Sequence, residues 1–226
     1  MKRINKVTSL AQYILAEAGK LPEGGLVSPK DFLHRGSRGN VDRTLGRLEK
    51  AGKLRRVGRG LYVLPVHGRF GVRCPNVDKV LASLSARTGE RFVSHGAFAT
   101  NYLGFSNQVP LRDVRLTTGK SRELWFGKLP VRLIHAPDWK FLFGICFENA
   151  MILAMDNMGE QWAREYIPHI RNMGTMEQWK KLYSVRSQLP GWMAEVIGKV
   201  RWSKRKRHRT DERCHCPVER IDGKPF

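Results

Sequence analysis

Asn40, Arg43, Arg47 and Lys50 recur at helical spacing early in the chain. At about 100° per residue they share one face of a helix, roughly opposite a narrow stripe of Val41, Leu45 and Leu48. Such a helix can rest on a hydrophobic core and still present donors outward. Arg pairs bidentately with guanine, and Asn with adenine, in the major groove. We expect Asn40, Arg43 and Arg47 to read bases, with Thr44 and Lys50 on the same side. Ser37 and Arg38, at the helix start, are expected to hold phosphates. The same charges also suit an ordinary solvated helix face.

The residues that follow favour the first reading. The run Lys53-Leu-Arg-Arg-Val57, then Gly58-Arg59-Gly60, then Leu61-Tyr-Val-Leu64 predicts a strand, a tight turn and a strand, closed by Pro65. A short helix, a turn, a second helix and a basic hairpin make a winged helix-turn-helix, whose second helix enters the major groove. Arg55, Arg56 and Arg59 on the wing then reach phosphates or the minor groove. The alternative for the hairpin is a charged edge strand that resists aggregation.

Other chemistry-bearing residues form weaker patterns. Ser94-His95 has the look of a nucleophile and base, but no carboxylate is placed to orient the histidine, so a packing or hydrogen-bonded role is expected. His135 and His169 stand alone, and Asp138, Glu148 and Asp156 make no compact metal set. Cys214-His215-Cys216 lacks the Cys-x2–4-Cys spacing and the second ligand pair of a zinc site. There is no phosphate-binding glycine loop and no dinucleotide fingerprint. We therefore expect no catalytic residues, no metal, no cofactor and no enzyme activity. A nuclease is the weakest alternative for want of a carboxylate cluster.

These residues must be positioned by folded elements. Ile4, Val7, Leu10 or Ala11, Ile14 and Ala18 predict a first helix, ended by Gly19 and Pro22. Residues 21–27 read as a loop. Ser28 and Pro29 predict a short helix over 29–34, and Ser37 one that runs to Ala51 with Gly52 after it. Residues 65–76 read as a linker. Helices are predicted over 77–87, 141–158, 173–183 and 192–200, and residues 92–98 read as a strand running into a helix that continues to Leu103. Strands are predicted at the start of 92–98 and over 114–118, 123–126 and 131–135, with a turn at 109–110. The Met- and Phe-rich stretch 141–158 reads as core. The fold class is α+β. The expected organisation is a winged helix-turn-helix over 1–65, a larger mixed α/β domain over 66–202 and a flexible basic tail over 203–226.

Composition narrows the partners. Lys and Arg number 41 against 20 Asp and Glu, a formal charge of +21 over 226 residues, which favours a polyanion. Residues 1–65 alone carry 14 basic and 5 acidic side chains. No apolar run approaches the ~20 residues of a membrane span, and the first residues do not read as a secretory signal. Four scattered cysteines form no disulfide framework. A cytoplasmic location is the expectation that remains.

Three motifs carry a family resemblance. Gly36-Ser-Arg-Gly-Asn-Val-Asp-Arg-Thr-Leu-Gly-Arg-Leu48 with Leu54-Arg-Arg-Val-Gly-Arg-Gly-Leu-Tyr-Val-Leu-Pro65 resembles the N-terminal domain of AbiEi-family antitoxins. Ser94-His-Gly-Ala-Phe-Ala-Thr-Asn-Tyr-Leu-Gly-Phe-Ser-Asn-Gln-Val-Pro110 and Leu116-Thr-Thr-Gly119 are similar to the body of the same group. The resemblance spans about residues 4–160. It implies a type IV toxin–antitoxin system, in which the antitoxin counteracts a nucleotidyltransferase-type toxin without binding it tightly. It also implies that the winged helix represses its own promoter at inverted repeats, while the C-terminal domain carries antitoxin activity. A single winged helix often needs a second copy on such a repeat, as a stable dimer or a monomer recruited by DNA. It assigns no residue to neutralisation. The alternative is a plain winged-helix transcriptional regulator whose larger domain senses a ligand, with 141–158 lining the pocket.

Overall fold

The computed structural model describes residues 9–69, 71–108 and 111–200. The expected helix start at Ile4 and Val7, the turn at 109–110, the basic run 204–209 and the Cys214-His215-Cys216 motif lie outside them. Within the described residues, Ser9 opens helix α1 (Leu10–Gly19) as a capping box. Its Oγ accepts from Gln12 N at 3.3 Å, and its own N–H donates to Gln12 Oε1 at 3.1 Å.

After α1 comes a two-residue strand, β1 (Leu26–Val27), where the sequence pattern reads as loop. Residues Pro29–Arg35 then form a 3-10 helix, tighter than the expected α-turns. Ser28 N donates to Asp31 Oδ2 at 2.8 Å and fixes its start. Helix α2 (Arg38–Lys50) follows, and then β2 (Arg55–Gly58) and β3 (Leu61–Val63). These strands form an antiparallel sheet in the order β1-β3-β2. This is the winged helix-turn-helix arrangement. Val41, Leu45 and Leu48 are buried, and they pack with Ile14, Phe32, Leu54 and Tyr62.

The stretch read as a linker instead holds a hairpin, β4 (Val66–Gly68) and β5 (Gly71–Arg73). Helix α3 (Val77–Thr88), capped by Asn76, leads to β6 (Phe92–Ser94) and α4 (Gly96–Tyr102). Strands β7 (Asp113–Thr117), β8 (Arg122–Phe126) and β9 (Leu129–His135) join β6 in a sheet ordered β6-β7-β9-β8. In it, β7 and β9 are parallel and the other pairs antiparallel.

Helix α5 (Phe147–Met158) buries Met151, Ile152, Leu153, Ala154 and Met155 in the largest core. It starts later than the apolar pattern suggests: Phe141 ends a 3-10 turn (Asp138–Phe141), and residues 142–146 are bends. At Gly96 a Cβ would stand 2.7 Å from Leu153 O, so glycine permits α4 to lie on α5. Two helices that the pattern does not predict follow, α6 (Glu160–Glu165) and α7 (Ile167–Met173). Helices α8 (Met176–Ser184) and α9 (Gly191–Lys199) close the described chain.

The winged sheet is buried on both faces. Val27 and Tyr62 face α1 and α2, whereas Leu26, Val57 and Val63 join a second core with Val80, Leu81 and Leu84 of α3 and Leu124, Phe126, Val131 and Leu133 of β8 and β9. Arg87 of α3 reinforces the junction. It donates from Nη1 to the Leu26 carbonyl at 3.0 Å, from Nη2 to Ser28 Oγ at 2.7 Å, and to Asp31. The core is thus shared across residue 65.

Candidate nucleic-acid interface

Helix α2 is anchored by its apolar stripe, so its opposite face is fixed toward solvent. Asn40, Arg43, Arg47 and Lys50 are exposed there, and Thr44 is half-buried at the margin. Several of these groups are held by short-range bonds. Arg43 Nε donates to the Gly39 carbonyl at 3.1 Å, and Thr44 Oγ1 donates to the Asn40 carbonyl at 2.8 Å. Arg38 is occupied differently, pairing with Asp42 at 2.8 Å. This is an exposed i,i+4 pair worth roughly 0.3–0.5 kcal/mol, so a phosphate can displace it. Ser37 is the N-cap residue of α2 and its side chain makes no capping bond, so its hydroxyl is free for an anion at the helix N-terminus.

Among the described residues, the side chains of Arg47, Lys50, Arg55 and Arg59 make no hydrogen bond or ion pair, and all four residues are exposed. Arg59 sits in the two-residue turn between β2 and β3, at the tip of the wing. Arg56 Nε donates to the Gly58 carbonyl at 3.3 Å, which lays its side chain along the strand. The turn end of the wing rests on β8, since a Cβ on Gly58 would meet Leu124 Cδ2 at 3.0 Å. The ten expected DNA-facing residues therefore lie on two neighbouring elements, α2 and the wing.

Some features of this surface escaped the sequence reading. Lys53 is exposed and unpaired among the described residues, continuing the line of charge from Lys50 to Arg55. Arg35 stacks its guanidinium 4.2 Å above the Tyr13 ring. Gly39 and Gly46 lie along one edge of the cationic face. A Cβ at Gly46 would meet nothing within 4 Å, so packing does not demand glycine there. A glycine inside a helix costs about 1 kcal/mol relative to alanine. The sequence shows two glycines seven residues apart in a cationic helix, but not the open space beside Gly46.

The remaining candidates resolve into structural roles. Ser94 Oγ accepts from Arg115 Nη1 at 3.2 Å, while His95 Nδ1 accepts the Ala97 N–H at 3.2 Å and caps α4. The two are engaged separately and form no nucleophile–base pair. Burial holds His95 below the usual histidine range, and the nearby Lys140 adds to this while Asp156 opposes it. His135 Nδ1 lies 3.0 Å from the Gly119 carbonyl, and His169 rests against the Tyr166 ring. Among the described residues no group of three His, Cys, Asp or Glu could hold a metal ion. No helix among them is long and apolar enough to cross a membrane.

The first half presents an exposed basic face on a helix and wing, and the second half packs directly behind it. The profile of DUF6088, a family of unknown function, matches residues 13–182. The chain belongs to the DUF6088 family. The matched span runs from within α1 to within α8, so the family pattern covers the winged region and the larger sheet together. Among curated proteins, none matches the chain.

Proposed function

We propose that this DUF6088 protein binds double-stranded DNA through α2 and the wing and represses its own promoter. In this reading it serves as the antitoxin of a type IV toxin–antitoxin system. The observation that carries the DNA reading is the exposed face of α2. It offers Arg47 and Lys50 with no protein partner among the described residues, beside Asn40 and Arg43, on a helix whose other face is locked into the core. Unpaired guanidinium groups on a rigid helix keep their donors available for base edges and phosphates. The antitoxin part is supported by the resemblance of residues 36–48, 54–65, 94–110 and 116–119 to AbiEi-family antitoxins.

Two measurements test it. Fluorescence anisotropy with the DNA upstream of its own reading frame, against unrelated DNA of equal length, should give preferential and salt-sensitive binding. Equal affinity for both, or no binding, overturns the promoter reading. Growth of cells expressing the neighbouring reading frame, alone and with the full chain, tests the antitoxin part. Toxicity that the chain does not relieve overturns it, and so does a harmless neighbour.

A second reading, a regulator that senses a ligand, has one observation in its favour. A cleft of about 460 Å³ lies where β5, α3 and the β7–β9 sheet meet, lined by Cys74, Asp78, Arg115, Phe126 and Leu129 among others. The 141–158 stretch does not supply that pocket, because its helix is packed as core. A small molecule that raises the melting temperature and changes DNA affinity would favour this reading.

A further inference from the structure

Among its described residues, the hairpin β4–β5 buries no side chain fully. Val66 is half-buried, but His67, Gly68, Arg69, Gly71, Val72 and Arg73 are exposed, so both faces of the ribbon meet solvent. A two-stranded ribbon without a core is marginal on its own. Residues 65–73 contain two arginines and one histidine and no acidic residue. Arg69 makes no hydrogen bond or ion pair among the described residues.

The ribbon is also thin. Its last paired residues are Gly68 and Gly71. A Cβ on Gly71 would meet nothing within 4 Å, and one on Gly68 only the Gly71 carbonyl at 3.7 Å. Gly71 needs its positive φ of 106°. Gly68 has no such need, so its lack of a side chain narrows the ribbon without serving the fold. Glycine in a strand suits close approach by another backbone, and a two-stranded ribbon fits a DNA groove.

The base of the ribbon is tied to the winged unit. Strand β4 begins three residues after β3 ends. Arg73 Nη2 reaches Glu23 Oε1 at 3.5 Å, and Glu23 is already neutralised by Lys79 at 2.6 Å. Arg55, at the start of β2, acts electrostatically on Cys74 just beyond the ribbon. Arg55 of the wing thus lies near the base of the ribbon.

We propose that β4–β5 is a second basic arm, which holds DNA phosphates beside the site engaged by α2 and the wing. This rests on the DNA reading above. A phosphate-holding arm adds affinity without sequence preference.

The test compares the full chain with Arg69→Ala, Arg69→Glu and Arg47→Ala by anisotropy, on the upstream DNA and on unrelated DNA, across a salt series. Removing one phosphate contact lowers the salt slope by about 0.9, which is about eightfold in affinity at ~0.1 M salt. Arg69→Ala should therefore weaken both duplexes by a similar factor of that order, and Arg69→Glu by more. Unchanged affinity and slope in both Arg69 variants, with Arg47→Ala still weakened on the upstream DNA, overturns the arm and leaves the DNA reading standing. Absence of binding by the unaltered chain overturns both. Arg69 is exposed in a turn, so neither variant threatens folding.

Discussion

Gly46→Ala separates stability from recognition on the same helix. Glycine inside a helix costs about 0.5–1 kcal/mol relative to alanine, because its unfolded backbone is freer. At Gly46 a Cβ would meet nothing within 4 Å, so alanine gains that amount with no clash to offset it. For a chain of this size the melting temperature should rise by about 1–4 °C. DNA binding should move the other way. An α-helix is ~10–12 Å across and the major groove is ~12 Å wide, so a helix seated there has little room to spare. Gly46 lies three residues after Arg43 and four before Lys50, on the edge of the face that meets the groove. An extra methyl there should cost about 1–3 kcal/mol of binding, the range seen for overpacking a tight contact. Scanning calorimetry and anisotropy on one protein sample read both effects. A stabilised variant with undiminished affinity would refute the close approach of α2 to DNA. A destabilised variant would refute the open space at this position.

Other perturbations probe the same architecture. Arg47→Ala should cost about 1–3 kcal/mol at one preferred base position, measured on a set of single-base variants of the upstream DNA; equal loss on every sequence would reduce Arg47 to a phosphate contact. Leu124→Ala, in the core shared by the wing and β8, should lower unfolding free energy by about 2–5 kcal/mol; an unchanged denaturant midpoint would contradict that shared core. His95 is held below the usual histidine range by burial, so the folded state favours the neutral ring that caps α4. The unfolded chain takes the proton first, so this contribution is present above pH ~6.5 and is lost as pH falls through the folded value. His95→Asn, which retains a capping acceptor, should flatten the melting temperature below that pH, and a pH profile identical to the unaltered chain would count against the cap.

Where the sequence pattern was informative, one face of an element was buried and the other was not. Helix α2 has that property, and its stripe of Val41, Leu45 and Leu48 was legible with its caps. So was the β2–β3 turn, because Gly58-Arg59-Gly60 separates two β-rich runs. Strand β1 was not, since both its residues are buried on opposite faces and a two-residue strand carries no alternation. The β4–β5 ribbon read as a linker for the converse reason: with both faces largely in solvent, it has no apolar periodicity. Helices α6 and α7 are short and abut at Tyr166, so their periodicity is cut before it repeats. The candidate site was legible in its charged residues. Its glycine edge was not, because an absent side chain shows its purpose only once the space around it is known.

The doubly buried wing sheet changes how the two halves should be tested. Removing residues 1–65 takes Leu26, Val57 and Val63 away from Val80, Leu81, Leu84, Leu124, Phe126, Val131 and Leu133. At about 1.5–3 kcal/mol per side chain, baring three of those seven costs roughly 5–9 kcal/mol. That is comparable to the whole net stability of an ordinary domain, about 5–15 kcal/mol. Arg87 would lose its Leu26 and Ser28 partners as well. Failure of a 66–226 fragment to relieve toxicity would therefore report unfolding as readily as a missing function. Point variants on exposed positions of the full chain avoid this. Arg47→Ala leaves the core intact, so relief of toxicity by that variant, alongside lost promoter preference, would place the two activities on different surfaces. Loss of both together would tie the antitoxin activity to DNA.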